Sequence, residues 1–369
     1  MNKADEGVLN TQKIYSYIYR TPCSNRELYD ALGLSMPTII KNLKLLESCG
    51  LIAKDGFFES EGGRKASVIK CVPDARLAIG LEILKKSFHL SFIDLYGNCL
   101  LESTCQIRYA SSSEYFSVIS SKILEMAEAA GIASDKILGI GISMQGLVSQ
   151  TGQEVIYGRL LNNTGLTLDQ IRKDLPYPCV LIHDAKASAL AEKWVQNIEN
   201  ATYIGLNMNI GSAILVNGEI LTGNHLGSGS VEHVCMVPKG KTCYCGRKGC
   251  LEMYCSGEQL EEVSGMKLEA FFPQLRSGDT DCVRIWTDFL DTLALAVNNV
   301  HSVIEAPVIL GGLLTSYFVP EDYDRLRDYI CRTIQSEAFP IIVGKAGKYS
   351  SATGAALYYI RQFLDHPVC

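Results

Sequence analysis

The sequence contains no long hydrophobic run and no apolar segment at its start. No stretch approaches the roughly 18 apolar residues that a membrane-spanning helix needs, and the opening residues, Met1 to Glu6, are mostly polar. We therefore expect a cytoplasmic protein without a membrane partner. Internal repeats, low-complexity tracts and coiled-coil heptads are also lacking, which argues against a repeat or fibrous architecture.

The sequence also lacks the excess of positive charge that is typical of nucleic-acid-binding proteins, since its formal net charge is -6. The charge is distributed unevenly along the chain. Residues 1–76 hold 11 Lys and Arg against 9 Asp and Glu, whereas the remaining residues hold 23 Lys and Arg against 31 Asp and Glu. The acidic bulk therefore does not exclude DNA binding by the amino-terminal part. A length of 369 residues with 47% apolar residues predicts a globular protein of two or three domains.

Cysteine, in contrast, is plentiful, and three of the 14 cysteines form a Cys-x-Cys-x4-Cys run that follows a histidine. Three thiolates and one imidazole are the ligands of a closed tetrahedral Zn²⁺ site. Gly246 and Gly249 allow this loop to fold back on itself. We therefore predict structural zinc, although thiols clustered by chance are the alternative; Cys235 and Cys255 are expected to be ordinary residues. The predicted ligands are His233, Cys243, Cys245 and Cys250.

Residues 1–75 read as a winged helix-turn-helix. Ser24 with Glu27 forms a capping box, Gly33 ends that helix, and a third helix begins around Pro37. Residues 51–70 then read as strand, turn and strand. The second helix of such a pair enters the DNA major groove, and a glycine-rich basic wing can approach phosphates. A three-helix cap or dimerisation module is the alternative. The predicted DNA-binding residues are Ser35, Thr38, Lys41, Asn42, Lys44, Arg64 and Lys65.

The remaining sequence reads as two α/β lobes, at 76–190 and 191–369. In the first, apolar strands begin near Leu77, Phe88, Cys99 and Ile137, with an amphipathic helix over 115–130. In the second, residues 201–221 predict a hairpin with an Asn217-Gly218 turn. A long helix over 284–303, a strand from residue 307 and a terminal helix from residue 351 follow.

The cysteine loop also carries a family resemblance. Gly229-x-x-x-His233, followed by Cys243-x-Cys245-Gly-x-x-Gly-Cys250-Leu-Glu252-x-x-x-Ser256-Gly257, resembles the zinc signature of the ROK family of sugar kinases and sugar-responsive repressors. The Gly62-Gly63-Arg64 run is similar to the wing of ROK repressors, with Lys65 where a proline is usual. The resemblance implies an amino-terminal winged helix-turn-helix followed by a two-lobed, actin-like ATPase (ribonuclease H-like) sugar-kinase fold.

The resemblance further implies a set of residues that bind a sugar effector. Asn162 matches the sugar-contacting Asn loop of the family, and Asp184 matches its general base, with His183 replacing the neighbouring Asn. A helix N-cap is the alternative role for Asp184. Ser230 replaces a sugar-binding Glu, for which Glu232 could compensate. The implied effector-binding residues are Asn162, His183, Asp184, Ser230, Glu232, His233 and Glu252.

Two departures from the kinase pattern concern the phosphate loops. Where ROK kinases carry Asp-x-Gly-Gly-Thr, residues 82–87 read Glu-Ile-Leu-Lys-Lys-Ser, and the second phosphate loop reads Asn-Met-Asn-Ile-Gly-Ser over 207–212. The first segment has no glycine and the second keeps only Gly211, so the backbone is largely without the glycines that allow a close approach to phosphates. We therefore expect no enzyme but a sugar-responsive repressor that binds operator DNA as a homodimer or homotetramer. The alternatives are an ATP-dependent sugar kinase and a DNA-bound regulator that has lost its ligand.

Overall fold

The amino-terminal residues form three helices and a pair of strands in the predicted order. The computed structural model describes residues 3–57, 67–331 and 341–367. The two strands are antiparallel, and the predicted wing residues Arg64 and Lys65 lie outside the described residues. The elements are α1 (Lys3–Arg20), α2 (Asn25–Leu32), α3 (Met36–Ser48), β1 (Ile52–Phe57) and β2 (Ser67–Cys71).

Local signals in the sequence set the limits of these helices. The predicted capping box is present, since the Ser24 hydroxyl accepts from the backbone N–H of Glu27 and the Glu27 carboxylate accepts from that of Ser24. Gly33 ends α2 with φ at +64°, a conformation that costs glycine little. Pro37 lies in the first turn of α3, where its missing N–H is no loss. These caps produce the short turn between α2 and α3.

The first lobe is built on a five-stranded sheet with the order β5-β4-β3-β6-β9. Strands β3, β6 and β9 are parallel, so their carboxyl ends meet at one edge of the sheet. Its elements are β3 (Leu77–Ile83), β4 (Phe88–Ile93), β5 (Cys99–Cys105), α4 (Ser113–Ala129), β6 (Ile137–Met144), β7 (Leu147–Val148), β8 (Val155–Tyr157), α5 (Leu168–Arg172) and β9 (Cys179–His183).

The second lobe is built on another five-stranded sheet, with the order β12-β11-β10-β13-β14. The predicted Asn217-Gly218 turn joins β11 to β12, and both residues have positive φ, as a two-residue hairpin turn requires. The strands are β10 (Ala201–Gly205), β11 (Gly211–Val216), β12 (Glu219–Ile220), β13 (Val308–Gly311) and β14 (Ile341–Val343). The helices are α7 (Glu252–Cys255), α8 (Gly257–Ser264), α9 (Leu268–Arg276), α10 (Thr280–Val303) and α11 (Pro320–Cys331).

Two helices, α6 (Asp184–Gln196) and α12 (Ser350–Asp365), join the lobes. They pack closely, because a Cβ at Gly354 would lie 1.7 Å from the carbonyl oxygen of Ala187. Helix α12 also lies against the first sheet, where a Cβ at Gly80 would lie 2.0 Å from the carbonyl oxygen of Ala352. The predicted division at residue 190 therefore falls inside α6, and the carboxyl terminus returns to the first lobe.

The amino-terminal helices pack directly on this body. Ile14, Tyr15 and Ile18 of α1 share one apolar cluster with Ile360 and Phe363 of α12. Tyr15 and Phe363 meet edge to face at 6.0 Å between ring centroids. The predicted DNA-binding unit is thus fixed to the body by buried apolar contacts. Over the described ranges, none of the helices combines the length and apolar character that crossing a membrane requires.

Candidate functional site

The four predicted metal ligands lie together in the second lobe. All their ligand atoms are within 4.8 Å of one another. Cys243 Sγ lies 3.8 Å from His233 Nδ1, and Cys245 Sγ lies 3.7 Å from Cys250 Sγ. A tetrahedral ion with bonds of about 2.3 Å to sulfur holds its ligand atoms about 3.6 to 3.8 Å apart. The cluster therefore has the donor set and spacing to hold a metal ion.

The backbone of the loop explains why these thiols converge. The N–H of Gly246 donates to the carbonyl oxygen of Cys243 over 2.9 Å, which closes a tight turn that contains the first two cysteine ligands, Cys243 and Cys245. Gly249 has φ at +77°, and a Cβ there would lie 1.9 Å from the carbonyl oxygen of Val237. Only glycine fits this position without moving the backbone. Cys235 is exposed and the buried Cys255 donates to the carbonyl oxygen of Phe289, so neither joins the cluster.

Asp184 opens helix α6 at the edge where the strands of the first sheet end. Its Oδ1 accepts from the backbone N–H of Ala185 over 2.8 Å and lies 3.4 Å from Nδ1 of His183. The side chain keeps 25% exposure, and no described residue donates a hydrogen bond to its second oxygen. One oxygen of Asp184 therefore accepts from a backbone N–H in the first turn of the helix, and the other oxygen can still accept from a ligand. Burial lowers the pKa of His183, which favours a neutral imidazole.

Glu232 and Glu252, both predicted to bind the effector, have buried side chains with hydrogen-bond partners inside the protein. Glu252 is 2% exposed; its Oε1 accepts from Asn209 Nδ2 over 3.0 Å and its Oε2 from the backbone N–H of Ile210 over 2.7 Å. Glu232 is also buried, and its carboxyl group hydrogen-bonds Ser212 Oγ. Both carboxyl groups therefore support the loop at 207–212 through these hydrogen bonds.

Ser212 connects the carboxyl group of Glu232 to the backbone at residues 229–231. Ser212 Oγ donates to the carbonyl oxygen of Gly229 over 2.6 Å and accepts from the N–H of Val231 over 2.7 Å. The same hydroxyl donates to the Glu232 carboxyl group, so the two acceptors share its single proton. Burial raises the pKa of Glu232 to about 8, which favours the neutral acid. A neutral acid here avoids a buried unpaired charge.

The other predicted effector residues differ in how far they are exposed to solvent. Asn162 is exposed with φ at +51°, and Ser230 and His233 are half-buried. His233 turns Nδ1 towards Cys243, which leaves Nε2 to face away from the thiols. Sequence reasoning did not single out Asn163, which is 2% exposed, donates to the carbonyl oxygen of Gln145 and has no partner for Oδ1 among the described residues. An Asn pair alone gives no signal of which member faces inward.

The segments at 82–87 and 207–212, which were compared with phosphate loops in the sequence, form hydrogen bonds within the protein. The N–H of Leu84 donates to the carbonyl oxygen of Ser87 over 2.9 Å, which makes a tight turn with Lys85 and Lys86 outside. In the second segment, Asn207 Oδ1 accepts from the N–H of Leu313 over 2.7 Å. Together with the contacts of Glu252, these bonds use polar groups that could otherwise have faced a phosphate.

Glu82, which sequence reasoning placed only in the altered phosphate loop, is a further acidic group at this edge. Its carboxylate accepts from Ser351 Oγ over 2.7 Å, and Ser351 in turn accepts from Ser143 over 2.9 Å. Burial raises the pKa of Glu82 to about 7, and the nearby Asp184 contributes in the same direction.

Helix α3 presents most of the predicted DNA-binding residues outward. Ser35, Lys41 and Lys44 are exposed, and Thr38 is half-buried. The prediction for Asn42 is wrong, because this residue is 7% exposed. Its Oδ1 accepts from Thr11 Oγ1 over 2.6 Å, and its Nδ2 donates to the carbonyl oxygen of Thr38 over 2.8 Å.

The fold and these sites define a class of protein: a two-lobed, sugar-kinase-like body that carries an amino-terminal helix-turn-helix unit and a His-Cys₃ metal cluster. Residues 78–362 match the ROK family. The chain belongs to the ROK family.

Several proteins that are similar in sequence to this chain are named as repressors or transcriptional regulators. The chain is 27% identical over 242 residues to a putative xylose repressor of Caldicellulosiruptor sp. (strain Rt8B.4), which covers 64% of this chain and 61% of that protein. It is 21% identical over 359 residues to the xylose repressor of Bacillus subtilis (strain 168), covering 94% and 93% of the two chains. It is 24% identical over 262 residues to the dual regulator NagC of Escherichia coli (strain K12), covering 69% and 64%.

Solved structures support the same fold. A ROK family transcriptional regulator described as a homolog of the Escherichia coli MLC protein superposes with a TM-score of 0.78 at 22% identity, over 98% of this chain and 97% of that one. The ROK hexokinase of Thermus thermophilus superposes with a TM-score of 0.65 at 21% identity, over 76% and 97%. The regulator therefore matches the helix-turn-helix unit as well as the body.

Proposed function

We propose that this protein is a sugar-responsive transcriptional repressor of the ROK family and has no kinase activity. The observation that carries this proposal is the closure of both phosphate-loop segments by the protein's own groups. The N–H of Leu84 is used within its own turn by the carbonyl oxygen of Ser87, and Glu252 holds the backbone N–H of Ile210. A kinase of this fold stabilises transferred phosphate with backbone N–H groups and a metal ion, which these segments do not offer.

The winged helix binds operator DNA, and α3 enters the major groove. Lys41 and Lys44 lie on its outward face, and neither forms an ion pair with a described residue. Their ammonium groups contact backbone phosphates, while Ser35 and Thr38 at the start of the helix approach base edges. Full-length matches to the xylose repressor of Bacillus subtilis and to a ROK transcriptional regulator support this role.

The effector is a sugar that binds between the lobes. Asp184, Asn162 and Ser230 offer hydrogen-bonding groups that suit hydroxyl-rich ligands. The relatives named for xylose and for N-acetylglucosamine indicate a pentose or an amino sugar as the first candidates. His183 and His233 complete the polar lining, and Glu232 and Glu252 act behind it by holding the loop at 207–212.

The metal is a structural Zn²⁺, held by the thiolates of Cys243, Cys245 and Cys250 and by Nδ1 of His233. These soft donors at tetrahedral spacing are the set that zinc prefers in closed sites. The bound ion cross-links the loop and fixes the ring of His233. Nε2 of that ring remains for a sugar hydroxyl, so the metal sets the geometry of the effector cleft.

The regulator acts in the cytoplasm as a homodimer or homotetramer on paired half-sites. A single winged helix reads too few base pairs for specificity in a genome, so at least two copies must bind together. Sugar binding changes the angle between the lobes and, through the body, the spacing of the two winged helices. The two half-sites of an operator have a fixed spacing, so the protein then binds the operator more weakly.

Isothermal titration calorimetry of the full chain tests the effector assignment. D-xylose, D-glucose, N-acetylglucosamine and Mg-ATP are titrated separately into wild-type protein and into the Asp184→Asn variant. We expect one sugar to bind the wild type, to bind the variant at least tenfold more weakly, and Mg-ATP to give no binding heat. ATP-dependent phosphorylation of any of these sugars, lost in the Asp184→Asn variant, would make the kinase alternative correct.

A further inference from the structure

Two neighbouring residues near the end of α6 hold different lobes. Trp194 donates its indole N–H to the carbonyl oxygen of Tyr96 over 2.8 Å, in the first-lobe turn between β4 and β5. Lys193 donates to the carbonyl oxygen of Gly218 over 2.7 Å, in the second-lobe turn between β11 and β12. A change in the angle between the lobes must therefore strain or break one of these two contacts.

The first-lobe turn at 94–98 is rigid. The Asp94 carboxylate accepts from the backbone N–H groups of Tyr96 and Asn98 over 2.8 and 2.9 Å. Gly97 has φ at +83°, and a Cβ there would lie 2.8 Å from the indole nitrogen of Trp194. Because the turn has little freedom of its own, a displacement of Trp194 moves Tyr96 with it.

Tyr96 is also the residue that holds the winged helix from this side. Its ring stacks on Tyr19 of α1, with centroids 4.6 Å apart and planes 8° apart. Its hydroxyl donates to the carbonyl oxygen of Tyr19 over 2.9 Å, and the Tyr19 hydroxyl donates to that of Leu95 over 2.8 Å. Burial raises the pKa of both phenols, so they remain neutral donors. Two reciprocal bonds and a ring stack thus set the position of α1.

The opposite end of α6 lies at the effector cleft. Asp184 is the first residue of this helix and Trp194 lies ten residues further on, which is about 15 Å along the axis. At the cleft end, a Cβ on Gly211 of the second lobe would lie 2.9 Å from Cβ of Ala185. The helix therefore meets both lobes at each end, and it behaves as a rod between cleft and winged helix.

We propose that Trp194 and Tyr96 are positioning residues that transmit sugar binding at Asp184 to the winged helix through α6 and Tyr19. This inference rests on the proposed function, because it requires both a sugar and an operator. It specifies the physical route: the lobes rotate, α6 tilts, the turn at 94–98 follows Trp194, and α1 moves with Tyr96. The winged helices of an oligomer then change their spacing.

The test compares Trp194→Phe and Tyr96→Phe with Trp286→Phe as a matched control. Trp286 also donates an indole hydrogen bond to a carboxylate, Asp322, over 2.7 Å, but it lies on α10 in the second lobe. Operator is selected from random DNA by the wild type. The coupling factor is the ratio of operator Kd values with and without a saturating sugar. The sugar used is the one of D-xylose, D-glucose and N-acetylglucosamine that shifts the wild-type Kd most. Thermal unfolding shows that each variant folds.

We expect Trp194→Phe and Tyr96→Phe to reduce the coupling factor about fivefold, the equilibrium effect of one ordinary hydrogen bond. Trp286→Phe should leave it unchanged although its melting temperature falls. The same factor must appear in the sugar Kd measured with and without operator, because coupling is reciprocal. Hydrogen exchange at the end of α1 should respond to sugar in the wild type and not in Trp194→Phe.

Unchanged coupling in both folded variants, or an equal loss in Trp286→Phe, would overturn the proposed route while the proposed function stands. A wild-type protein that binds operator with an affinity that none of D-xylose, D-glucose and N-acetylglucosamine changes would refute the proposed function itself, and the route with it. The Tyr96→Phe variant removes only one hydroxyl, so it decides the question even if Trp194→Phe fails to fold.

Discussion

Replacing Lys41 and Lys44 by methionine should weaken operator binding mainly through its dependence on salt. Both side chains are exposed on the outward face of α3. Each lysine that neutralises one DNA phosphate contributes about 0.9 to the slope of log Kobs against log salt concentration. Loss of both should therefore reduce the slope by about 1.8. The fall in affinity between about 50 and 200 mM salt should become about tenfold smaller.

Fluorescence anisotropy of a labelled operator over a salt series measures this slope. The matched control is Lys85→Met with Lys86→Met, which removes the same two charges from an exposed turn of the first lobe. That control should leave the slope unchanged, because Lys85 and Lys86 contribute only to the overall charge of the protein and are not expected to contact a DNA phosphate. A slope that persists in the α3 variant and drops in the control would show that α3 is not the DNA-binding surface.

Three further predictions concern the metal, the buried amide and pH. Cys243→Ala should lose bound zinc by elemental analysis and melt at a lower temperature, because three remaining ligands leave the loop without its cross-link; retained metal and unchanged operator binding would contradict this. Thr11→Val should destabilise the protein by about 1–3 kcal/mol in urea unfolding, since Oδ1 of the buried Asn42 loses its donor; an unchanged midpoint would contradict this role. For Glu82, a pKa raised to about 7 means that the folded state binds more protons than the unfolded state between about pH 4.5 and 7, so stability should fall as pH rises through this window. Glu82→Gln should remove that fall in thermal unfolding, and equal pH profiles would refute the assignment.

Local features of the fold could be predicted because their causes lie within a few residues. The capping box of Ser24 and Glu27 and the Asn217-Gly218 turn are present as predicted. The spacing of His233, Cys243, Cys245 and Cys250 was sufficient to predict that these four side chains lie together in a group that could hold a metal ion. Each of these signals depends on backbone conformations or ligand chemistry that few other residue types can provide.

The errors have a different physical origin, since they depend on contacts distant in sequence. Helical periodicity places Asn42 near the edge of the buried face of α3, and hydrogen bonds with Thr11 of α1 and with the carbonyl oxygen of Thr38 make its burial favourable. The family resemblance locates Glu252 near the cleft, but the direction of its carboxylate follows from Asn209 and Ile210, over 40 residues earlier. The return of α12 to the first sheet depends on Gly80, whose missing Cβ admits the helix. Sequence periodicity carries no information on such pairings.

The central claim is that the body senses a sugar without using nucleotide. The most direct measurement is a titration of labelled operator with the full chain, followed by fluorescence anisotropy, with sugar, with Mg-ATP and with both. We predict that one of D-xylose, D-glucose and N-acetylglucosamine shifts the operator Kd at least fivefold, and that Mg-ATP changes neither the Kd nor the effect of the sugar. A shift that requires Mg-ATP, or one that Mg-ATP produces alone, would contradict the account.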